Sequence, residues 1–224
     1  MKGILSVIIL MFSTIIFAQE LKDSKWILKV NAAQLVDVVS YPTLQISAER
    51  KINPYFSVNA EFGYQLYDFN KADTILLKSK GFKVNIEARL YLFKLLKSRT
   101  QSKTSELYVG LQLFHRKNQD TYNLKFISSD NNTLYSDDFG AKKTAHGFNI
   151  IIGNQISVSK KLVLEPFIGI GSLYIKTRNS DLEYDEAKHV IDIDGLSSIN
   201  SRLESNTGNF TNFCWGFRIG YRLQ

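Results

Sequence analysis

Three features of this sequence predict an all-β fold: a closed antiparallel up-and-down barrel of about eight strands. Apolar and polar residues alternate, the alternating runs are long, and the connections between them switch between tight and extended. Composition agrees, because 15 Phe, 11 Tyr and 2 Trp against only 3 Pro favour strands. At 224 residues, with 44% hydrophobic and 22% charged, the chain fits one folded unit and excludes a disordered or coiled-coil protein. Its 1 Cys excludes an internal disulfide and a Cys-rich metal module.

The first element is an address. Lys2 precedes an apolar stretch from Ile4 to Phe17, and Ala18 stands before Gln19. A basic start, an apolar core and a small residue describe a secretory signal peptide cut after Ala18, although Ile16 is bulkier than usual near such a site. The run falls short of the ~20 residues that span a bilayer as a helix. Residues 1–18 are therefore expected to be a signal peptide and 19–224 one barrel domain. Of 28 basic and 21 acidic residues, removal of Lys2 leaves 27 and 21, a formal charge of +6. An exported protein rarely meets nucleic acid, so none is expected as partner. The basic residues are scattered, apart from Lys94, Lys97, Arg99 and Lys103, and suit anionic lipid headgroups better.

The strands follow in order. Trp26, Leu28 and Val30 alternate with Lys29 and Asn31, then Leu44, Ile46 and Ala48 with Gln45, Ser47 and Glu49. Phe56, Val58, Ala60, Phe62, Tyr64 and Leu66 oppose Ser57, Asn59, Glu61, Gly63, Gln65 and Tyr67. Phe82, Val84, Ile86, Ala88, Leu90 and Leu92 oppose Lys83, Asn85, Glu87, Arg89 and Tyr91. Weaker copies run from Leu107 to Leu113, Phe148 to Gly153 and Leu164 to Gly171, and the last run extends from Thr211 to Leu223. Successive side chains of a strand face opposite sides, so each run has one apolar and one polar face. Helical spacing would put Glu61 and Glu87 inside an apolar stripe.

Length separates a membrane barrel from a soluble one. The clearest runs reach roughly 10 to 12 residues, against ~5 to 6 for ordinary strands and about 9 to 11 for a tilted membrane strand. Asn53-Pro54-Tyr55 and Ser159-Lys160-Lys161 are tight turns, while 68–79, 116–142 and 177–208 are long and polar, the pattern of a transmembrane β-barrel. Two connections depart from it: 37–42 is short and 94–104 is long. Within 116–142, Tyr122, Leu124 and Phe126 alternate before Asn131-Asn132, which suggests a hairpin stalk.

Glu49, Glu61, Lys83, Glu87, Arg89, Glu165 and Arg218 fall on polar faces, with Lys29 and Arg222 beside them. An eight-stranded bore is just wide enough to be filled by side chains, so these are expected as a lumenal network of ion pairs. Trp26, Tyr55, Tyr91 and Tyr221 are expected at one interface and Tyr64, Tyr67 and Tyr174 at the other. Cys214 falls on the lumenal set as a buried thiol. Among the glycines, Gly153, Gly169, Gly171, Gly216 and Gly220 suit crowding in a narrow barrel rather than a phosphate loop. The acidic stretch Asp181, Glu183, Asp185, Glu186, Asp192 and Asp194 lacks the calcium-loop pattern, and His115, His146 and His189 lack ligand spacing. No catalytic residue, cofactor or metal is expected.

Pro42-Thr43-Leu44-Gln45-Ile46-Ser47-Ala48-Glu49-Arg50-Lys51-Ile52-Asn53, followed by the strand from Phe56 to Tyr67, resembles the small outer-membrane β-barrels of Gram-negative bacteria. It is most similar to a domain-of-unknown-function family with an early P-x-L-x-x-x-x-E-x-x strand before a tight turn. Gly216-Phe217-Arg218-Ile219-Gly220-Tyr221-Arg222-Leu223 resembles the C-terminal signal read by the barrel-assembly machinery, though an aromatic end is usual there and this chain ends Leu223-Gln224. The resemblance implies the cell outer membrane, with its lipid and lipopolysaccharide as surroundings. It also implies the barrel-assembly machinery as a partner during insertion, and envelope proteins as further candidate partners. It implies no reaction. A structural or surface-interaction role through the long loops is the expected function. The alternatives are a narrow channel, a barrel subunit of a larger envelope complex, and a lipid-A-modifying enzyme using His189 with Ser197 or Ser198.

Overall fold

Alternation becomes architecture in the computed structural model, which describes residues 26–36, 40–65, 76–92, 104–191 and 207–223. The expected signal peptide, Leu66, Tyr67, Asp192, Asp194, Ser197, Ser198 and the basic group at 94–103 lie outside these residues. Among the described residues there are nine strands: β1 (Trp26–Asn31), β2 (Leu44–Lys51), β3 (Phe56–Tyr64), β4 (Leu76–Tyr91), β5 (Ser105–Ser128), β6 (Leu134–Ser157), β7 (Leu162–Ser180), β8 (His189–Ile191) and β9 (Thr207–Arg222). Strands β1 to β7 pair in sequence, all antiparallel, and β9 joins β7 to β1. The pairs Leu28 with Tyr221 and Val30 with Ile219 close the ring. Eight strands therefore form the barrel, and β8 is an addition outside it, paired with β5 through Phe126 and Ile191. Closure leaves no edge in the barrel wall, so the ladder satisfies the backbone all the way round.

One parity rule governs every wall. In β3, Ser57, Asn59 and Glu61 point inward and are buried, while Ala60, Phe62 and Tyr64 are exposed outside. In β9 the same division sets Asn212 and Arg218 inside and Phe213, Trp215 and Ile219 outside. A slip of one residue would exchange these faces along a whole strand, which is why the pattern fixes register.

The wall is far from even in height. β1, β2 and β3 have 6, 8 and 9 residues, whereas β5 and β6 have 24 each. The hairpin stalk expected within 116–142 is present, and it is more than a stalk on a loop: one continuous ladder runs from Ser105–Ile156 up to Ile127–Leu134. Only the turn near Asn132, at φ 52°, interrupts it. The stretch is polar because this ladder rises beyond the apolar band, where outward positions carry Lys117, Gln119, Thr121, Asn123 and Lys125. Its inward face turns apolar instead. Tyr122, Leu124, Phe126, Phe139 and Ala141 pack together, and Leu182, Tyr184 and Ile191 cover them. Along one strand, then, the two faces exchange character where the surroundings change from lipid-like to aqueous.

The described residues of the short link between β1 and β2 fold inward. Residues Ala32–Val36 make a 3-10 helix, and Pro42 and Thr43 beyond it are buried. Gln34 and Tyr41 reach the inner wall from this segment, Gln34 bonding Gln45 at 3.1 Å and the Tyr41 hydroxyl donating to the Phe82 carbonyl at 2.6 Å. Gln34 and Tyr41 thus occupy the mouth at the end opposite Trp26 and Arg222.

Candidate functional site

The inward positions of six strands converge at the middle of the bore. Lys29 comes from β1, Glu49 from β2, Glu61 from β3, Glu87 and Arg89 from β4, Glu165 from β7 and Arg218 from β9. Each sits at the inward parity of its strand, so alternation alone aims it at the axis.

Glu165 is the hub. It accepts hydrogen bonds from Lys29, from Arg89 at 3.0 Å, from Arg218 at 2.8 Å and from the Tyr108 hydroxyl at 3.0 Å. Glu49 accepts from Lys29 at 2.5 Å, Arg89 at 2.9 Å, Gln155 at 3.0 Å and the Tyr91 hydroxyl. Arg89 grips Glu87 with two parallel bonds of 2.9 and 3.0 Å, the bidentate geometry that suits a guanidinium. Arg218 spans Glu61 at 3.0 Å, Glu87 at 3.2 Å and Glu165. Three cations thus face four carboxylates, and the rings of Tyr108 and Phe167 lie against Arg89 and Arg218 at 4.5 and 3.9 Å.

Lys83 is inward and buried but stands apart from this cluster. It donates to Gln34 at 2.9 Å and to the Tyr41 carbonyl at 2.7 Å, tying the folded-in link to the wall. Of the seven residues expected in the lumen, six meet at one level and Lys83 serves the mouth. Arg222 lies at the opposite rim, bonded to Ser157 at 2.7 Å. Between the cluster and the mouth, a water-sized cavity is lined by Asn31, Gln45, Glu61, Gln112 and Phe167.

Tyr91 corrects the expectation made for it. It belongs not to an interface but to the bore, at 1% exposure, bonded to Glu49 and packed edge-on against Tyr108 at 6.0 Å. Its parity follows Glu87 and Arg89, a signal the sequence does contain. Tyr108, Gln155, Ile151 and Phe167 are further lumen-filling residues that the sequence pattern does not single out. Two glycines make the aromatics fit. A β-carbon on Gly153 would lie 2.3 Å from the Tyr108 hydroxyl oxygen, and one on Gly216 2.3 Å from the Phe167 ring. Cys214 also faces inward, half-buried against Gly169 and Phe167.

Trp26, Tyr55 and Tyr221 are exposed at the end carrying the termini, with Arg50 over Trp26 at 5.4 Å. At the other level an outward row crosses four strands: Phe82, His115, His146 and Tyr174, with ring centroids 6.0, 6.5 and 5.3 Å apart. His189 is elsewhere, among Phe126, Tyr135 and Tyr184, and its Nδ1 accepts the Asp185 backbone N–H at 2.9 Å. Asp185 holds that turn together. The Ala187 backbone N–H, and then Lys188, keep its carboxyl below the usual carboxylate range. Among the described residues no group of three or more His, Cys, Asp or Glu could hold a metal ion.

A protein family described as a protein of unknown function, DUF3575, matches residues 5–193. The chain belongs to this family. Members of DUF3575 carry no assigned activity in that description, so membership supplies a lineage and not a reaction. No curated protein matches. Among solved structures, this DUF3575 chain is similar to a major outer membrane protein from Thermus thermophilus. The two share 10% identity at a TM-score of 0.48, over 90% of this chain and 100% of the other.

Proposed function

We propose that this DUF3575 protein is an integral outer-membrane barrel without catalytic activity, which presents its tall hairpin wall as a contact surface. One observation carries the reading: the molecule is inside out relative to a soluble protein. Phe213, Ile168 and Leu113 are 71%, 65% and 59% exposed on the outer surface, while Lys29, Glu49, Glu165 and Arg218 are at most 1% exposed. Exposed apolar surface on that scale, continuous around a ring, is untenable in water. In a hydrocarbon layer it is the favoured arrangement, and the aromatic rows at both levels match the interfacial girdles of outer-membrane strands.

The filled lumen weighs against the channel reading. Arg89, Arg218, Tyr91, Tyr108, Lys29 and Gln155 are almost fully buried side by side across the bore. Charges paired this closely leave no hydrated path. The enzyme reading loses its motivation too, because His189 spends Nδ1 on a turn and sits within an aromatic cluster.

Fractionation tests the proposal. Native membranes washed with sodium carbonate should retain the protein, and unheated samples should migrate faster in SDS gels than boiled ones. Recovery in the aqueous periplasmic fraction would sink it.

A further inference from the structure

Immediately beyond the Phe82–His115–His146–Tyr174 row, outward positions become basic on one side of the barrel. Lys78 and Lys80 stand on β4, Lys117 on β5, Lys142 on β6, and Lys176 and Arg178 on β7. The ladder makes them neighbours. Lys117 faces Thr144, which faces Lys176; Lys80 faces Gln119, which faces Lys142, which faces Arg178. Adjacent strands lie about 4.8 Å apart, so these cations tile a patch four strands wide. None of the six forms an ion pair among the described residues. Asp138, further up the same face, is engaged by Asn123 at 2.5 Å. Among the described residues the β1–β3 side shows no counterpart, its last outward positions being Val30, Leu44 and Tyr64.

Like charges directly opposite on a sheet, as Lys142 and Arg178 are, destabilise it unless an anion lies between them. Their height identifies the anion. They begin at the aromatic row that marks the edge of the apolar band, which is the level of lipid phosphates. Above them the same face continues with the amide of Asn123 and the hydroxyl of Ser136, beside Lys125 and Asp138, groups that hydrogen-bond sugars. A glycerophospholipid headgroup would reach only the basic rows. A phosphorylated glycolipid would cover both.

We propose that the outward face of β4–β7 binds lipopolysaccharide, its phosphates on Lys117, Lys142, Lys176 and Arg178 and its core sugars along the wall above. This rests on the outer-membrane reading, and the test separates the two. Full-length protein in detergent is first checked for the heat-dependent gel shift, whose absence in the wild type overturns the barrel reading itself. Shifted protein is then titrated with purified lipopolysaccharide, dephosphorylated lipopolysaccharide, phosphatidylglycerol and inorganic phosphate.

The triple variant Lys117→Gln, Lys142→Gln, Arg178→Gln should bind lipopolysaccharide about tenfold more weakly or worse. The equally charged control Arg50→Gln, Lys160→Gln, Lys161→Gln should bind as the wild type does. Dephosphorylated lipopolysaccharide should lose most of the affinity. Equal binding by the two triple variants overturns the proposal. So does phosphatidylglycerol or free phosphate competing as well as the glycolipid. Should the first triple variant fail to shift, the singles Lys142→Gln and Lys176→Gln replace it, each expected at about a two- to fivefold loss, with no loss counting against the site.

Discussion

Arg218 shows what a single side chain does in this bore. It answers three carboxylates at once, so its removal strands negative charge in a site that excludes water. Arg218→Met is expected to destabilise the barrel by about 3 to 5 kcal/mol, read as a lower temperature for losing the fast-migrating form in SDS. Adding Glu61→Gln should restore part of the loss, because the two side chains are partners at 3.0 Å and their effects are not independent. Additive losses would count against a coupled network. Gly153 acts by size alone. Gly153→Val puts two methyl groups where the Tyr108 ring lies, and Tyr108 is held in place by its bond to Glu165. We expect a loss of about 1 to 3 kcal/mol in the same gel assay, and a wild-type transition would refute the packing argument.

At the level of elements, the β5–β6 hairpin is two structures joined end to end. Its lower part is barrel wall, while its upper part is one face of a small apolar cluster completed by Leu182, Tyr184 and Ile191. From His115 to Ser128, β5 continues for roughly 40 Å at the ordinary rise of a strand. Leu124 is completely buried there although it lies outside the apolar band. Leu124→Asp should therefore release the 181–191 segment to proteases added to intact cells, without abolishing membrane insertion. Loss of insertion instead would mean that the hairpin folds as one unit with the barrel. The 3-10 link behaves in the opposite way. Its Gln34 reaches into the mouth, where Lys83 and Gln45 both bond it.

For the molecule as a whole, the decisive property is which solvent each surface meets. Ile168 sits on the outer face at mid-wall, so Ile168→Arg should cost about 2 to 4 kcal/mol of insertion stability in lipid vesicles. A soluble barrel would tolerate or welcome that change. The filled bore makes a second expectation at this scale: planar bilayers containing the purified protein should show no reproducible conductance steps. Regular steps would require Arg89, Arg218 and their carboxylates to move apart, and would revive the channel reading.

Alternation alone dictates most of the barrel. Phe56 to Tyr64 and Phe82 to Leu90 declare their two faces through a period of two, and inward Glu49, Glu61, Glu87, Arg89, Glu165 and Arg218 follow from it without any knowledge of pairing. What alternation cannot carry is which inward residues share a level, because that depends on the stagger between strands far apart in sequence. Arg218 meets Glu61 across 157 positions, and Lys83 misses the cluster only because its height on β4 sets it at the mouth. Tyr91 misleads by its type, since an aromatic near a strand end suits an interface, and only the closed ring shows the carboxylate waiting for it. In 116–142 the alternation of Tyr122, Leu124 and Phe126 discloses the hairpin, but the polarity hides its continuity with the wall, because the same strand swaps its wet and greasy faces on leaving the apolar band. Local chemistry sets the face of each residue, and the closed tertiary structure alone sets its company.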